Sequence, residues 1–126
     1  MTEPLRYEGA EQQSVYQKLV ERAHQARRNG RFRRIAWFMA ALLIVLGGLD
    51  VVSTSFALAA GNEEANPLIV ALQINLGSWW GLPKVFIHLL FAYFVLWLPT
   101  GRMLKAATVV SLFYVFVIVS NFTLAF

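Results

Sequence analysis

Residues 35–60, IAWFMAALLIVLGGLDVVSTSFALAA, make an apolar run of 26 positions that holds one charge, Asp50. As a helix the run would extend roughly 39 Å at ~1.5 Å per residue, more than the ~30 Å hydrocarbon core of a bilayer. It therefore predicts a membrane span that tilts or bends, with Gly47-Gly48 as the place for a bend. The polar, charged stretch of 34 residues before it is too long and too charged for the leader of a cleaved signal, so a retained span is expected.

Two further runs fit the same reading. Residues 83–100, PKVFIHLLFAYFVLWLPT, open on Pro83 in a tolerated first-turn position and close at Pro99. Residues 106–126, AATVVSLFYVFVIVSNFTLAF, are long enough for a third span. Between the first two runs, Asn66 can cap a helix that starts at Pro67, and Gly77 can end it. That helix, over about 66–76, is too short to cross and should lie along the outer interface beside Trp79 and Trp80. Before the first run, Val15, Tyr16, Leu19, Val20, Ala23 and Ala26 recur at helical spacing opposite Arg and Gln. The sequence thus predicts an all-α membrane protein. It has three transmembrane helices, a short outer interfacial helix and an N-terminal amphipathic basic helix, divided into a cytoplasmic segment 1–34 and a three-span domain 35–126.

Charge sets the orientation. Residues 1–34 carry eight Lys or Arg against four Glu, whereas the rest of the chain carries three of each sign. The N-terminal cluster and the Arg102/Lys105 turn lie two spans apart, hence on one side, and an excess of Lys and Arg marks the cytoplasmic side. The expected location is a bacterial inner (plasma) membrane, N-terminus in and C-terminus out. Arg27, Arg28, Arg31, Arg33 and Arg34 stop where the apolar run starts, so anionic lipid headgroups are their expected partners and nucleic acid is not. There is no cysteine, which excludes disulfides and thiolate chemistry. His24 and His88 have no carboxylate at a ligand spacing, so neither a metal nor another cofactor is expected.

Gly47, Asp50, Thr54, Ala57 and Gly61 advance by three or four residues and share one helix face, with Ser53 at its flank. Small residues let a second helix approach, and the polar ones can bond across the contact. An ionised Asp at mid-bilayer costs at least ~2.5–3.5 kcal/mol, so Asp50 needs a partner. Counting outward from the span midpoints sets His88 level with Asp50, and Lys84 a turn nearer the outside beside Glu63 or Glu64. This gives two layers: Asp50, Thr54 and His88 inside the membrane, with Glu64, Asn66 and Lys84 at its outer rim. Asp50 is expected to be a polar anchor within reach of Thr54 or a histidine, and secondarily a proton or cation site.

Asp50 with Thr54 four residues on, then Glu64-Ala65-Asn66-Pro67-Leu68 and a later Lys84, resembles an uncharacterised family of small prokaryotic membrane proteins over about residues 40–100. The resemblance implies that these polar residues form one unit and brings no activity with it. A carboxylate shortly before Gly-Thr-Thr in the first helix of the small multidrug transporters is similar in kind, but those chains have four full spans.

Ser53, Thr54 or Ser120 could meet His88, but no nucleophile elbow, oxyanion loop or phosphate-binding glycine pattern accompanies them, so no enzyme is expected. The small-residue stripe and the Ser111/Tyr114 face of the third span invite further helices. The expected role is a small accessory or assembly subunit of a larger membrane complex, or of a homo-oligomer. The alternative is an oligomeric proton-coupled small-molecule carrier using Asp50 and His88.

Overall fold

A computed structural model describes residues 5–64 and 66–126, and among these the chain is helical with no strand. The elements are α1 (Leu5–Arg28), α2 (Gly30–Ala59), α3 (Pro67–Leu76), α4 (Gly81–Trp97) and α5 (Gly101–Ala125). α2 and α5 are each long and apolar enough to cross a membrane. α3 and the 3₁₀ turn after it meet α4 at 103°, and this bent pair supplies a third candidate span if taken together.

Helix ends follow from local chemistry. Asn29 has an extended backbone, and its side-chain Oδ1 accepts from the N–H groups of Arg31 and Phe32, so α1 stops and α2 starts there. α2 therefore begins five residues before the apolar run, and Arg31, Arg33 and Arg34 lie on its first turns. At the other end Gly61 takes φ +88°, its N–H bonds Leu58 O, and Asn62 N–H bonds Ala57 O. That paired closure needs a residue in the left-handed region, which glycine adopts without cost from a Cβ. Gly61 is thus a turn residue and not part of the α2 packing face. α3 starts with Pro67 behind the Asn66 cap and stops at Gly77, where φ is +52°.

α2 is the central element. α4 and α5 pack on separate faces of it and scarcely touch one another. Toward the end that carries Arg31, Arg102 and Lys105, here the basic end, the interior is apolar: Ala36, Met39, Ala40 and Leu43 of α2 meet Ala92 and Val95 of α4 and Leu104 and Ala107 of α5. Toward the α3 end the buried set turns polar, with Asp50, Ser53, Thr54, His88 and Ser111. Large apolar side chains such as Val109, Phe113 and Phe116 point outward. Exposed Ser55, Thr108 and Thr123 each donate to the carbonyl four residues back, at 2.8–2.9 Å, which satisfies each hydroxyl within its own helix.

α2 runs as one helix through Gly47 and Gly48, so no break falls where a bend was expected. Gly47 instead admits a neighbour: a Cβ there would stand 2.5 Å from His88 Cγ. Ser111 is buried within the chain and Tyr114 packs on His88, so that face of α5 is used internally. Along α1 the apolar positions divide. Ala23 is fully buried against the body, whereas Val15, Tyr16 and Leu19 stay exposed.

Candidate functional site

Asp50 projects from α2 into the polar layer and is 1% exposed. Its Oδ2 lies 2.8 Å from Lys84 Nζ, in the first turn of α4. Lys84 is 17% exposed, so this ion pair has one face toward an opening. The same ammonium reaches Thr54 Oγ1 at 3.5 Å and sits 5.5 Å over the Trp80 ring. A carboxylate, a hydroxyl and an aromatic face therefore surround one –NH₃⁺, the groups that such a cation prefers. Two missing side chains let the helices come this close. Gly47 of α2 lies under His88 of α4, and a Cβ on Gly81 of α4 would stand 2.8 Å from Val51 Cγ1 of α2. The ion pair is held between these two contacts.

The α5 side is tied in by Asn121. Its Nδ2 donates to Thr54 Oγ1 at 3.1 Å and to Ser53 Oγ at 3.3 Å, and Ser53 Oγ in turn donates to the Asp50 carbonyl at 3.1 Å. Asn121 was not singled out from the sequence. The available signal was simply a lone amide in an apolar run, a group that must find a partner in lipid.

Three expected pairings are corrected. Lys84 bridges to Asp50 and not to Glu63 or Glu64. His88, expected level with Asp50, makes no hydrogen bond to it: Nδ1 donates to the Lys84 carbonyl at 2.7 Å, and the ring lies edge-on to Tyr114 with centroids 4.3 Å apart. Thr54 bonds Asn121 and Lys84, and the Asp50 carboxylate takes no hydrogen bond from it. The cause is reach. Gly81 packs on Val51 and His88 on Gly47, a register that sets Lys84 level with Asp50 and His88 a turn beyond it, within reach of the Lys stem alone. Asp50 Oδ1 and His88 Nε2 are buried without a hydrogen-bond partner among the described residues, as are Ser111 Oγ of α5 and Gln73 Nε2 of α3.

A cavity of about 220 Å³ reaches this pair from the α3 end. Asp50, Thr54, Glu64, Asn66, Lys84, Tyr114 and Asn121 supply its polar lining, with Ile69, Phe113 and Val117 completing the wall. Glu64 is set at the cavity by its own turn: Oε1 accepts from Asn66 N–H at 2.9 Å, while Asn66 Oδ1 accepts from Leu68 N–H at 3.0 Å. Ala65 of the same motif lies outside the described residues. The expected inner and outer layers thus meet in one cavity, apart from His88, which stands beside it. Ala57 is buried on the same α2 face, while Gly61 lies beyond the helix end. Arg28, Arg31, Arg33 and Arg34 are exposed and Arg27 is half-buried at the opposite end. No group of three His, Asp or Glu that could hold a metal ion occurs among the described residues.

The family model of a domain of unknown function, DUF5658, matches residues 20–126, most of the chain and all of the polar layer. The chain belongs to this family. The DUF5658 match begins inside α1, so Arg22 and the buried Ala23 belong to the domain with the helices they pack on. No curated protein and no solved structure matches the chain.

Proposed function

We propose that this DUF5658 chain is a three-span plasma-membrane protein that takes up a small ammonium-bearing solute from the outer side, using Asp50 as the counter-ion. α4 contributes the second span. At 17 residues it reaches roughly 26 Å, the lower end of what a crossing needs. α2 and α5 then run in one direction and α4 returns, with the arginine-rich end in the cytoplasm and the α3 end outside. The arginine cluster rests on anionic headgroups.

One observation carries the solute reading: the 220 Å³ cavity ends on a buried carboxylate that already holds an ammonium, that of Lys84. Asp50 Oδ1 has hydrogen-bonding capacity to spare, and Glu64 adds a second negative charge to a lining with one Lys. A solute ammonium competes with Lys84 for Asp50, and the released Lys84 has Glu64 in the same cavity. Small solutes bind in concave sites with a few convergent polar groups, and intramembrane carboxylates mark substrate and ion paths. In a carrier, exchange of the proton and the solute at Asp50 couples their movements. Copies of the chain packed together complete the route to the basic end.

A role as an accessory or assembly subunit rests on a free small-residue face. Here Gly47 and Asp50 are taken by α4, and Ser53 and Thr54 by α5 of the same chain. The polar stripe closes the chain on itself, which favours the solute-binding reading.

The test is uptake of radiolabelled ethanolammonium into proteoliposomes with an inward proton gradient. Wild type should exceed both protein-free vesicles and Asp50→Asn, which keeps the side-chain shape without the charge. Equal rates for wild type and Asp50→Asn overturn the proposal.

A further inference from the structure

At the basic end a groove of about 740 Å³ lies between α1 and the α4–α5 turn. Arg22 of α1 and Arg102 and Lys105 of α5 are its charged lining, all three exposed, and no carboxylate occurs among its described lining residues. Leu19, Leu98 and Met103 form an apolar part of the same wall. Gly101 and Arg102 are the first residues of α5, so their N–H groups have no acceptor within the helix, and both residues line the groove. Thr100 Oγ1 caps the next position by accepting from Met103 N–H at 3.3 Å.

We infer that this groove binds one anionic phospholipid. Three cations from two separate elements, joined by the positive end of a 25-residue helix, converge on a space that suits a phosphate. The neighbouring Leu and Met side chains suit an acyl chain and give the headgroup a continuous path into the bilayer. This combination distinguishes the groove from Arg31, Arg33 and Arg34, which are exposed and stand outside its described lining. Arg22 stands on α1 and the other two cations on α5, so the bound lipid ties α1 to the spans. α1 is otherwise fastened mainly around Ala23, since Val15, Tyr16 and Leu19 are exposed.

Native mass spectrometry of the full chain, released from micelles doped with phosphatidylglycerol or phosphatidylcholine, reads this directly. Wild type should retain one phosphatidylglycerol and no phosphatidylcholine. Retention should weaken about fivefold for each cation removed, and on the order of a hundredfold in the triple variant Arg22→Gln/Arg102→Gln/Lys105→Gln. The control triple Arg31→Gln/Arg33→Gln/Arg34→Gln should keep the bound lipid. Hydrogen exchange across α1 should rise in the first triple variant and stay unchanged in the control. If the first triple fails to fold, Arg102→Gln alone decides, since its side chain is exposed. Equal retention of phosphatidylcholine, or of phosphatidylglycerol by the groove variant, overturns the inference. So does displacement of the lipid by millimolar inorganic phosphate, which identifies free phosphate as the ligand.

Discussion

Gly47 and His88 are in contact through an absent side chain: the imidazole occupies the space where a Cβ at position 47 would stand, 2.5 Å from Cγ. Gly48, the next residue, has nothing within 4 Å of its own Cβ position. The two glycines therefore answer oppositely to the same change. Gly47→Ala must push α4 away from α2 and should destabilise by about 1–3 kcal/mol, the usual cost of overpacking. Gly48→Ala should be neutral or stabilising by up to about 1 kcal/mol, because Ala is the better helix former. Unfolding of both variants in mixed micelles measures the difference, and equal behaviour would show that the α2–α4 contact is looser than described.

Asn121 makes the side-chain bridge from α5 to the polar layer, at 3.1 and 3.3 Å. Asn121→Leu should cost roughly 0.6–1.7 kcal/mol, the range of hydrogen bonds between membrane helices. Ser53→Ala/Thr54→Val in the same background should then cost less than it does in wild type, because only the bonds to the Asp50 carbonyl and Lys84 are left to lose. Full additivity in that cycle would mean the bridge is absent in the bilayer.

The Asp50–Lys84 pair spans α2 and α4 at 2.8 Å with Asp50 buried. Lys84→Met leaves a buried carboxylate without its counter-charge and should cost about 3–5 kcal/mol. Asp50→Asn/Lys84→Met removes both charges and should recover most of that loss. Assembled protein and unfolding free energy for the singles and the double decide the matter. A double variant no better than Lys84→Met would argue that the pair contributes no coupling.

In the proposed topology α2 and α5 cross in one direction and α4 returns, which fixes the side of each end. A reporter active only in the cytoplasm, fused after Phe126, should be silent, and the same reporter fused between α4 and α5 at Gly101 should be active. The reverse pattern would invert the protein, and activity at both positions would remove α5 as a span.

Helix ends and faces were legible in the sequence where the signal is local or periodic. Asn66-Pro67 and Gly77 bound α3 because a side-chain cap, a fixed φ and a positive φ act within a few residues. The spacing of Gly47, Asp50, Thr54 and Ala57 marks a buried face because helical period survives any tertiary arrangement. The same spacing wrongly includes Gly61, since periodicity does not say where a helix stops. The partner of Asp50 was not legible. Choosing between His88 and Lys84 depends on the depth and rotation of α4 against α2, neither of which is written in residue spacing. Asn121 escaped for a related reason: which face of α5 meets α2 is fixed by packing along both helices. Family membership covers residues 20–126 without settling any of these contacts.

The most direct test of the central claim, that an ammonium from outside can reach Asp50, is chemical rescue of Lys84→Ala. That substitution deletes the atoms of n-propylammonium and leaves the carboxylate at the end of the cavity. Unfolding of the purified variant is followed with increasing n-propylammonium, against sodium chloride of equal ionic strength and against n-propanol. An open cavity predicts stabilisation by n-propylammonium alone, growing with the logarithm of its concentration once the site fills and reaching about 2.7 kcal/mol at a hundredfold excess over Kd. No difference between n-propylammonium and sodium chloride would contradict the account, leaving Asp50 and Lys84 as a sealed fastening between two helices.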